Sequence, residues 1–177
     1  MSDTSNAVFF AIDKGANIVP DPALKNIKPT NLGNRRDNPA KIGDTLVSGS
    51  WVFKIVEAIR GDKAAELAQK ASIYNEPAPE GQEYVAVRVT ARYLGSDQPD
   101  HAERAENFRL KITGEKNVIY KSPLAVAPSP RLLGAELFAG GETDGWVILS
   151  VSKGEKGLLV IFESPGSSDD ARYIAIP

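Results

Sequence analysis

The segment Gln82–Tyr93, QEYVAVRVTARY, alternates apolar and polar side chains along most of its length. Its apolar series runs Val85, Val87, Val89, Ala91 and Tyr93. The other series includes Tyr84, Arg88, Thr90 and Arg92. This period of two, rich in β-branched and aromatic residues, predicts a strand that turns one face to a core. Because prolines precede the segment and glycines bracket it, the strand has defined ends. We expect it to be a central strand of a β-sandwich.

Other short segments predict further strands before and after this one. The segment 45–60 predicts one or two strands with two apolar faces. One face would carry Trp51, Phe53 and Ile55. The opposite face would carry Val52, Val56 and Ala58. Residues 108–113 and 118–121 predict a β-hairpin, and later strands are expected within 145–151, 158–162 and 172–176.

A short amphipathic helix at about 62–72 is predicted between two of the strands. Asp62 is expected to be its N-cap, since a carboxylate accepts hydrogen bonds from the first free amides of a helix. The apolar stripe has helical spacing and consists of Ala64, Leu67, Ala68 and Ala71. With seven or eight strands and turn signals between them, the sequence predicts an all-β, antiparallel two-sheet sandwich with one inserted helix, at residues 38–177.

Residues 1–37 form an N-terminal arm of different composition. One apolar, strand-like segment, 7–12, is followed by repeated prolines and glycines that prevent long regular structure. Its large apolar side chains are Val8, Phe9, Phe10 and Ile12. A tethered apolar segment of this kind could add a strand to the sheet edge of a neighbouring molecule, or fold back onto its own sandwich. The sequence leaves both possibilities open.

The composition limits the classes of function. With 42% hydrophobic and 25% charged residues, the 177-residue chain has the composition of an ordinary globular protein. Its net charge of −2 gives no reason to expect binding to nucleic acid. Its lack of cysteine excludes disulfides, thiolate metal sites and a cysteine nucleophile. No apolar run approaches the roughly 20 residues of a membrane span, and no motif for a cofactor is present, so none is expected.

Many dispersed residues resemble one family of domains over about residues 38–176. The matching positions are Asn38-Pro39, Ile42-Gly43-Asp44, Trp51, Arg60-Gly61-Asp62, Ala71, Asn75, Pro77-Ala78-Pro79-Glu80-Gly81, Glu83-Tyr84, Phe108, Gly140-Gly141-Glu142, Gly145-Trp146-Val147 and Arg172-Tyr173-Ile174-Ala175. Together they resemble an uncharacterised immunoglobulin-like domain family of bacterial and archaeal secreted proteins and lipoproteins. That family is similar to the secreted immunoprotective antigen of mycobacteria.

The resemblance implies an immunoglobulin-like β-sandwich in an extracytoplasmic location, usually with a membrane anchor. It implies no catalytic residues. Members of the family commonly carry an export signal or a lipid-anchoring cysteine followed by a polar linker. The given chain has neither, and the apolar and proline-rich arm stands in that place. We therefore expect a secreted or cell-surface protein whose export signal is absent from the given chain.

Residues that could serve catalysis form no recognisable constellation in the sequence. His101 is the single histidine and would have to be the base of any serine hydrolase, but no Gly-x-Ser-x-Gly turn accompanies it. Glu57, Glu83 and Glu142 are candidates for paired carboxylates only in the sense that sequence does not fix their separation. We expect Glu83 to pair with Arg60 or to cap nearby backbone. The sequence therefore predicts that the protein is not an enzyme.

Besides the arm, the sequence predicts one binding patch, on a face of the sheet. Tyr84, Arg88 and Arg92 share one series of the central strand and would form a basic and aromatic patch on a sheet face. Asp97 and Asp100 are weak candidates for a calcium site, although their spacing matches no calcium-binding loop, and no metal is expected. Trp51 and Trp146 are expected in the core, and either would become a ligand-stacking candidate if exposed.

These observations predict a non-enzymatic, extracytoplasmic binding or adhesion module with a protein partner. The alternative is a self-assembling structural subunit of an extracellular filament or layer, which would use residues 7–12 as a donated strand.

Overall fold

The computed structural model describes residues 27, 30–98, 100–105, 109–120, 122–132, 134–163 and 170–177. Within these ranges the chain forms strands and one helix, which confirms the predicted all-β fold with a short inserted helix. The elements are β1 (Ala40–Lys41), β2 (Leu46–Ser48), β3 (Trp51–Arg60), α1 (Asp62–Ala71), β4 (Gln82–Tyr93), β5 (Glu103–Arg104), β6 (Arg109–Thr113), β7 (Glu136–Leu137), β8 (Glu142–Ser152), β9 (Leu159–Glu163) and β10 (Arg172–Ala175).

Two four-stranded sheets form the sandwich. Sheet I has the order β1-β10-β9-β6, and sheet II has the order β2-β3-β4-β8. The predicted central strand, β4, pairs antiparallel with β3 on one side and β8 on the other. The chain crosses from β4 in sheet II to β6 in sheet I and returns to sheet II at β8.

The main core lies between the two sheets. The predicted apolar series of β4, from Val85 to Tyr93, is buried in it, with every member at most 3% exposed. Sheet I contributes Phe162, whose ring centroid lies 3.8 Å from that of Phe53 in sheet II. Trp51 is 2% exposed and packs with its ring centroid 5.0 Å from that of Tyr93. The prediction that Trp51 is a core residue is therefore confirmed.

A β-bulge in β3 changes which side chains face this core. The pairing register with β4 shifts between Ile55 and Glu57, so Val56 is an extra residue in the strand. A bulge reverses the alternation beyond it, because one residue is left without a partner across the ladder. Ala58 consequently packs against the same core as Phe53. The sequence-based placement of Ala58 on the opposite face is wrong for this reason.

Helix α1 covers part of the outer face of sheet II, the face turned away from the main core. Ala64 and Ala68 are fully buried there against Tyr84, Ala86 and Ile148. The N-cap position is held by Gly61, with φ of 65° and no side-chain cap, and Asp62 is the first helical residue. The expectation that Asp62 caps the helix is wrong, because the turn from β3 into α1 requires a positive φ that glycine adopts readily.

The predicted hairpin of 108–113 with 118–121 is not formed as two paired strands. β6 pairs antiparallel with β9 along its whole length, and the later segment contributes one isolated bridge, Ile112 to Tyr120. Tyr120 is held instead by its hydroxyl, which donates a hydrogen bond to the buried carboxylate of Glu155 at 2.7 Å. Phe108 lies outside the described residues.

A proline-rich crossing closes the edge of sheet II at β8. Trp146 N–H donates to the carbonyl of Pro130 at 2.8 Å, and Arg131 forms a parallel bridge with Trp146. Covering an edge in this way satisfies backbone groups that would otherwise be open to another chain. In the part of the chain that the structure describes, no helix is long and apolar enough to cross a membrane.

Candidate functional site

The outer face of sheet II carries the side chains predicted for a binding patch, and α1 divides it into a covered and an open part. Tyr84 lies in the covered part, 4% exposed, and its hydroxyl donates to the carbonyl of Glu76 at 3.0 Å. Burial, together with the charge of Glu76, raises the pKa of Tyr84. The structure therefore separates Tyr84 from Arg88 and Arg92, because the helix packs over only one end of β4.

Arg88 and Arg92 lie in the open part, each beside a carboxylate of β8. Arg88 donates two hydrogen bonds to Asp144 Oδ2, at 2.6 and 3.0 Å. Arg92 Nε lies 3.5 Å from Glu142 Oε1. That Nε is nevertheless a buried donor without a hydrogen bond among the described residues. Arg92 is therefore less completely bonded than Arg88.

A groove of about 480 Å³ runs over this open part. Its volume lies within the range of sites that bind small ligands or peptide side chains. The lining combines apolar, hydroxyl and charged side chains, among them Val47, Val52, Lys54, Thr90, Arg92, Glu142 and Asp144. We call this the outer-face groove. Of the patch that the sequence predicted, it contains Arg92 and omits Tyr84.

The end of the N-terminal arm enters this groove. Ile27 is one of its lining residues. The carbonyl of Thr30 accepts a hydrogen bond from the buried guanidinium of Arg172 at 2.9 Å. The carbonyl of Gly33 accepts one from Tyr173 N–H at 2.7 Å. The arm residues that the sequence singled out, Val8, Phe9, Phe10 and Ile12, lie outside the described residues.

A second cavity, of about 400 Å³, lies between β8 and the proline-rich crossing. Trp146 is half-buried on its wall, so its expected place in the core is only partly realised. Leu132 and Ile148 contribute apolar walls, and the exposed Arg131 lies at its side. Among the described residues, the cavity has one charged lining residue, whereas the outer-face groove has several.

The candidate catalytic residues do not converge. His101 is exposed in the loop after β4, where its Nε2 lies 3.2 Å from Glu103 Oε2. Glu83 is opposite Val151 and Glu142 is opposite Arg92, so they lie near opposite ends of the β4–β8 ladder. At about 3.3 Å per residue these carboxylates are roughly 30 Å apart, far beyond the separation used by glycosidases.

Glu57 also stands apart from the other two carboxylates. It is opposite Arg88 in the ladder, about four residues from the position opposite Glu142. The expected pairing of Glu83 is confirmed, since Arg60 donates to its carboxylate. Asp97 and Asp100 are exposed in the loop after β4. Within the described ranges, no group of three or more histidine, aspartate or glutamate residues could hold a metal ion.

A buried carboxylate that the sequence did not indicate lies at the other end of sheet II. Glu155 is 3% exposed and accepts hydrogen bonds from Lys116 N–H at 2.9 Å and from the Tyr120 hydroxyl at 2.7 Å. These hydrogen bonds lower the pKa of Glu155, in the order backbone amide, then tyrosine. Partial burial raises the pKa of neighbouring Glu83, but the hydrogen bonds from Arg60 and Gly154 outweigh it and leave that pKa lowered.

We expect these two carboxylates to make the fold sensitive to acid. A group whose pKa is lower in the folded state contributes stability that is complete above its unfolded pKa, here near 4.5, and that is lost as the pH falls through the folded pKa. In Glu155→Gln, the amide group would face two donors, so the variant should be less stable than the parent at pH 7. The deficit should shrink steadily below pH about 4.5.

Urea unfolding followed by tryptophan fluorescence, repeated from pH 7 to pH 3, measures this deficit. Glu80→Gln is the matched control, because it removes the same charge from an exposed position. A deficit for Glu155→Gln that stays constant over the whole pH range would contradict the assigned role of the ionised carboxylate.

Comparison with solved structures finds chains that resemble this one. The chain resembles a candidate lipoprotein of Bacillus subtilis, ycdA, with a TM-score of 0.52 and 18% identity over 75% of this chain. The likeness spans only 38% of the length of ycdA. The yjhA protein of Bacillus subtilis aligns with a TM-score of 0.47 and 17% identity, covering 78% of this chain and 99% of that one.

No family model matches the chain, and no curated protein is significantly similar to it. The resemblance to the immunoglobulin-like domain family of secreted proteins and lipoproteins is therefore supported by no family model and no curated relative. The structural comparison with ycdA shows a likeness of fold alone.

Proposed function

We propose that the protein is a non-enzymatic, extracytoplasmic binding module whose outer-face groove receives an extended protein segment. The observation that carries this proposal is the pair of cations, Lys54 and Arg92, beside an apolar floor on an open sheet face. Charged donors next to apolar surface favour a ligand that offers both an acceptor and apolar side chains.

The chemistry of the groove specifies the ligand further. Among the described residues, Lys54 has no carboxylate within ion-pair distance, whereas Arg88 is already bound to Asp144. Arg92 Nε is a buried donor without a hydrogen bond in the same set of residues. Val47 and Val52 supply the apolar floor. The preferred partner is therefore an extended segment with one acidic side chain flanked by apolar ones.

The extracytoplasmic location rests on two supports. The structural neighbour ycdA is described as a candidate lipoprotein. The dispersed residues discussed above resemble domains of secreted proteins and lipoproteins. A surface protein with this groove would act in adhesion or in the capture of a partner protein.

Selection of a random phage-displayed peptide library on the full chain tests the groove. We expect enriched peptides to contain one acidic residue among apolar residues. In the variant Lys54→Gln/Arg92→Gln, binding of the best peptide should fall roughly tenfold or more, because a charge-assisted hydrogen bond is worth about 1.5–3 kcal/mol.

The control variant is Lys63→Gln/Lys70→Gln, which removes the same net charge from exposed positions of α1. It should bind as the parent does. Equal weakening by both variants would indicate a general charge effect, and equal binding by all three proteins would show that the groove is not the binding surface. Either result would refute the proposal.

A second candidate function is self-assembly through the arm. It is favoured by the position of β2, a three-residue strand at the edge of sheet II, beside the groove where the arm enters. A strand at the edge of a sheet presents unpaired backbone groups to which another strand can add. In that case residues 7–12 would pair with a neighbouring molecule, and the subunits would form rings or filaments. Light scattering on the full chain and on a truncation that begins at Ile27 tests this candidate. An oligomeric full chain with a monomeric truncation would support it, and two monomers would refute it.

A further inference from the structure

The second cavity, between β8 and the proline-rich crossing, lies where the edge of β8 is only partly covered. The crossing bonds to β8 at Trp146, whose N–H donates to Pro130 and whose carbonyl accepts from Leu132 N–H. Alternate residues of an antiparallel strand direct their backbone groups to the same side, so Ile148 presents its N–H and C=O on the side where Trp146 meets the crossing. Among the described residues, none forms a hydrogen bond with these two groups of Ile148.

These unpaired backbone groups belong to a buried residue that lines the cavity. Ile148 is 4% exposed. A buried backbone donor and acceptor without partners are uncommon, because burial removes their hydrogen bonds to water. The cavity therefore offers one donor and one acceptor, side by side, to a ligand with the backbone chemistry of a peptide.

The walls of the cavity are mainly apolar and come from both sheets. Leu110 of sheet I and Val147 of sheet II line it together with Leu132 of the crossing. Trp146 adds a half-buried aromatic surface. The volume of about 400 Å³ lies in the range of sites that bind small ligands or side chains. A large aliphatic side chain would find apolar contacts on several sides here.

The crossing determines how a peptide can lie along this edge. Because Pro130 and Leu132 already bond to β8 at Trp146, a segment that pairs with Ile148 cannot continue past that point. An antiparallel segment would end there with a carboxylate, whereas a parallel segment would begin there with an ammonium group. Arg131 lines the cavity and is bridged to Trp146, so its guanidinium favours the carboxylate and disfavours the ammonium group.

We propose that this cavity binds the C-terminal residue of a protein or peptide that ends in a large aliphatic side chain. The terminal residue pairs antiparallel with Ile148, its side chain contacts Leu110 and Leu132, and its carboxylate binds Arg131. Backbone pairing supplies affinity and the apolar cavity selects the side chain, as in other strand additions. The site shares no described lining residue with the outer-face groove, so it does not depend on the function proposed for that groove.

Nuclear magnetic resonance titration of the ¹⁵N-labelled full chain with N-acetyl-glycyl-leucine tests the proposal. We expect this free acid to shift the Ile148 amide and Trp146 indole N–H resonances until they saturate. The same peptide with an amidated C-terminus should bind several-fold more weakly, because it lacks the charge that Arg131 recognises. N-acetyl-glycyl-serine should also bind more weakly, because it buries little apolar surface. Equal binding of all three peptides, or no shift of the Ile148 amide, would refute the proposal.

Two variants of the full chain assign the carboxylate contact. Arg131 is exposed, so Arg131→Gln should fold as the parent does and should bind the acid and amide forms of the leucine peptide equally. Lys41→Gln is the matched control, since Lys41 is an exposed cation of β1 outside the cavity. It should keep the preference of the parent for the acid. Loss of that preference in both variants, or in neither, would refute the role of Arg131.

The positions of the shifted resonances separate failure of this inference from failure of the proposed function. If N-acetyl-glycyl-leucine shifts Thr90 and Arg92 and leaves Ile148 unchanged, the cavity site is refuted and the binding function of the outer-face groove is supported. If Ile148 shifts but the phage-selected peptide binds Lys54→Gln/Arg92→Gln as it binds the parent, the cavity site stands and the groove function is refuted.

Discussion

Replacing Arg172 by alanine is expected to lower the free energy of unfolding by about 3 kcal/mol, because it removes a buried cation and leaves the carbonyl groups that it binds without their donor. The Arg172 side chain is 5% exposed and lies 2.6 Å from Asp170, which is itself 28% exposed. The same guanidinium donates to the carbonyls of Thr30 and Val47. Its loss therefore removes the contacts that join β10, β2 and the end of the arm.

The chain provides a matched control for this measurement. Arg35 and Asp37 form an ion pair with the same spacing in sequence at 2.7 Å, but their side chains are 71% and 66% exposed. Solvent screens such a pair, so Arg35→Ala should leave the urea midpoint unchanged within error. Urea unfolding followed by tryptophan fluorescence measures both variants. Similar midpoints for Arg172→Ala and Arg35→Ala would show that burial of Arg172 contributes little to stability.

The Gly145→Ala variant is expected to lose roughly 3 kcal/mol or more of stability, at the upper end of the range for overpacked sites. A Cβ atom at this position would lie 2.1 Å from Leu132 N and 2.2 Å from the carbonyl carbon of Arg131. These are backbone atoms of the proline-rich crossing, so no side-chain rotation relieves the clash. The crossing would have to leave β8 and give up the hydrogen bond from Trp146 N–H to Pro130.

Gly154→Ala separates the steric effect from the conformational one. Gly154 has φ of 74° and no atom within 4 Å of an added Cβ. Alanine there should cost only about 1–2 kcal/mol, the strain of a left-handed backbone. Thermal unfolding by circular dichroism compares the two variants. A smaller loss for Gly145→Ala than for Gly154→Ala would mean that the crossing is not held against β8 as described.

Displacement of the crossing would also expose the β8 edge. A strand edge without a partner is a template for association between molecules. We therefore expect any folded fraction of Gly145→Ala to aggregate more readily on heating than Gly154→Ala at equal concentration.

Local patterns in the sequence were sufficient to predict the elements and their buried faces wherever the periodicity was regular. The alternation of β4 identified both its ends and the five side chains that enter the main core. The spacing of Ala64 and Ala68 identified the buried face of α1. These patterns succeed because a single buried face imposes a fixed period on a strand or helix.

Sequence patterns gave the wrong placement of a side chain where one inserted residue, or a contact with a distant segment, changed which side chains are buried. The bulge at Val56 moved Ala58 to the core face, and nothing in the local sequence distinguishes it from a regular strand. Glu155 lies between Gly154 and Lys156, a context typical of an exposed turn, yet the segment 116–120 closes over it. Arg172 falls in register with the buried Ile174 and Ile176, which was a signal for burial that charge alone obscured.

The candidate site could be predicted only in part from the sequence. Arg88 and Arg92 were correctly placed on one face of β4, because side chains two residues apart share a face. The packing of α1 decides that Tyr84 is covered while Arg88 and Arg92 are not. The cations that line the groove come from β3 as well as β4.

The sequence by itself therefore determined the class of fold, the central strand and the single helix, since these follow from periodicity and turn residues. The tertiary structure decided which faces remain open, which charges are buried and where the arm enters the groove. Such features arise from contacts between residues far apart in the chain. One example is the hydrogen bond from Arg172 to Thr30, two residues more than a hundred positions apart in the chain. Another is the pair of hydrogen bonds that Glu155 accepts from Lys116 and Tyr120. No local pattern encodes such distant partners.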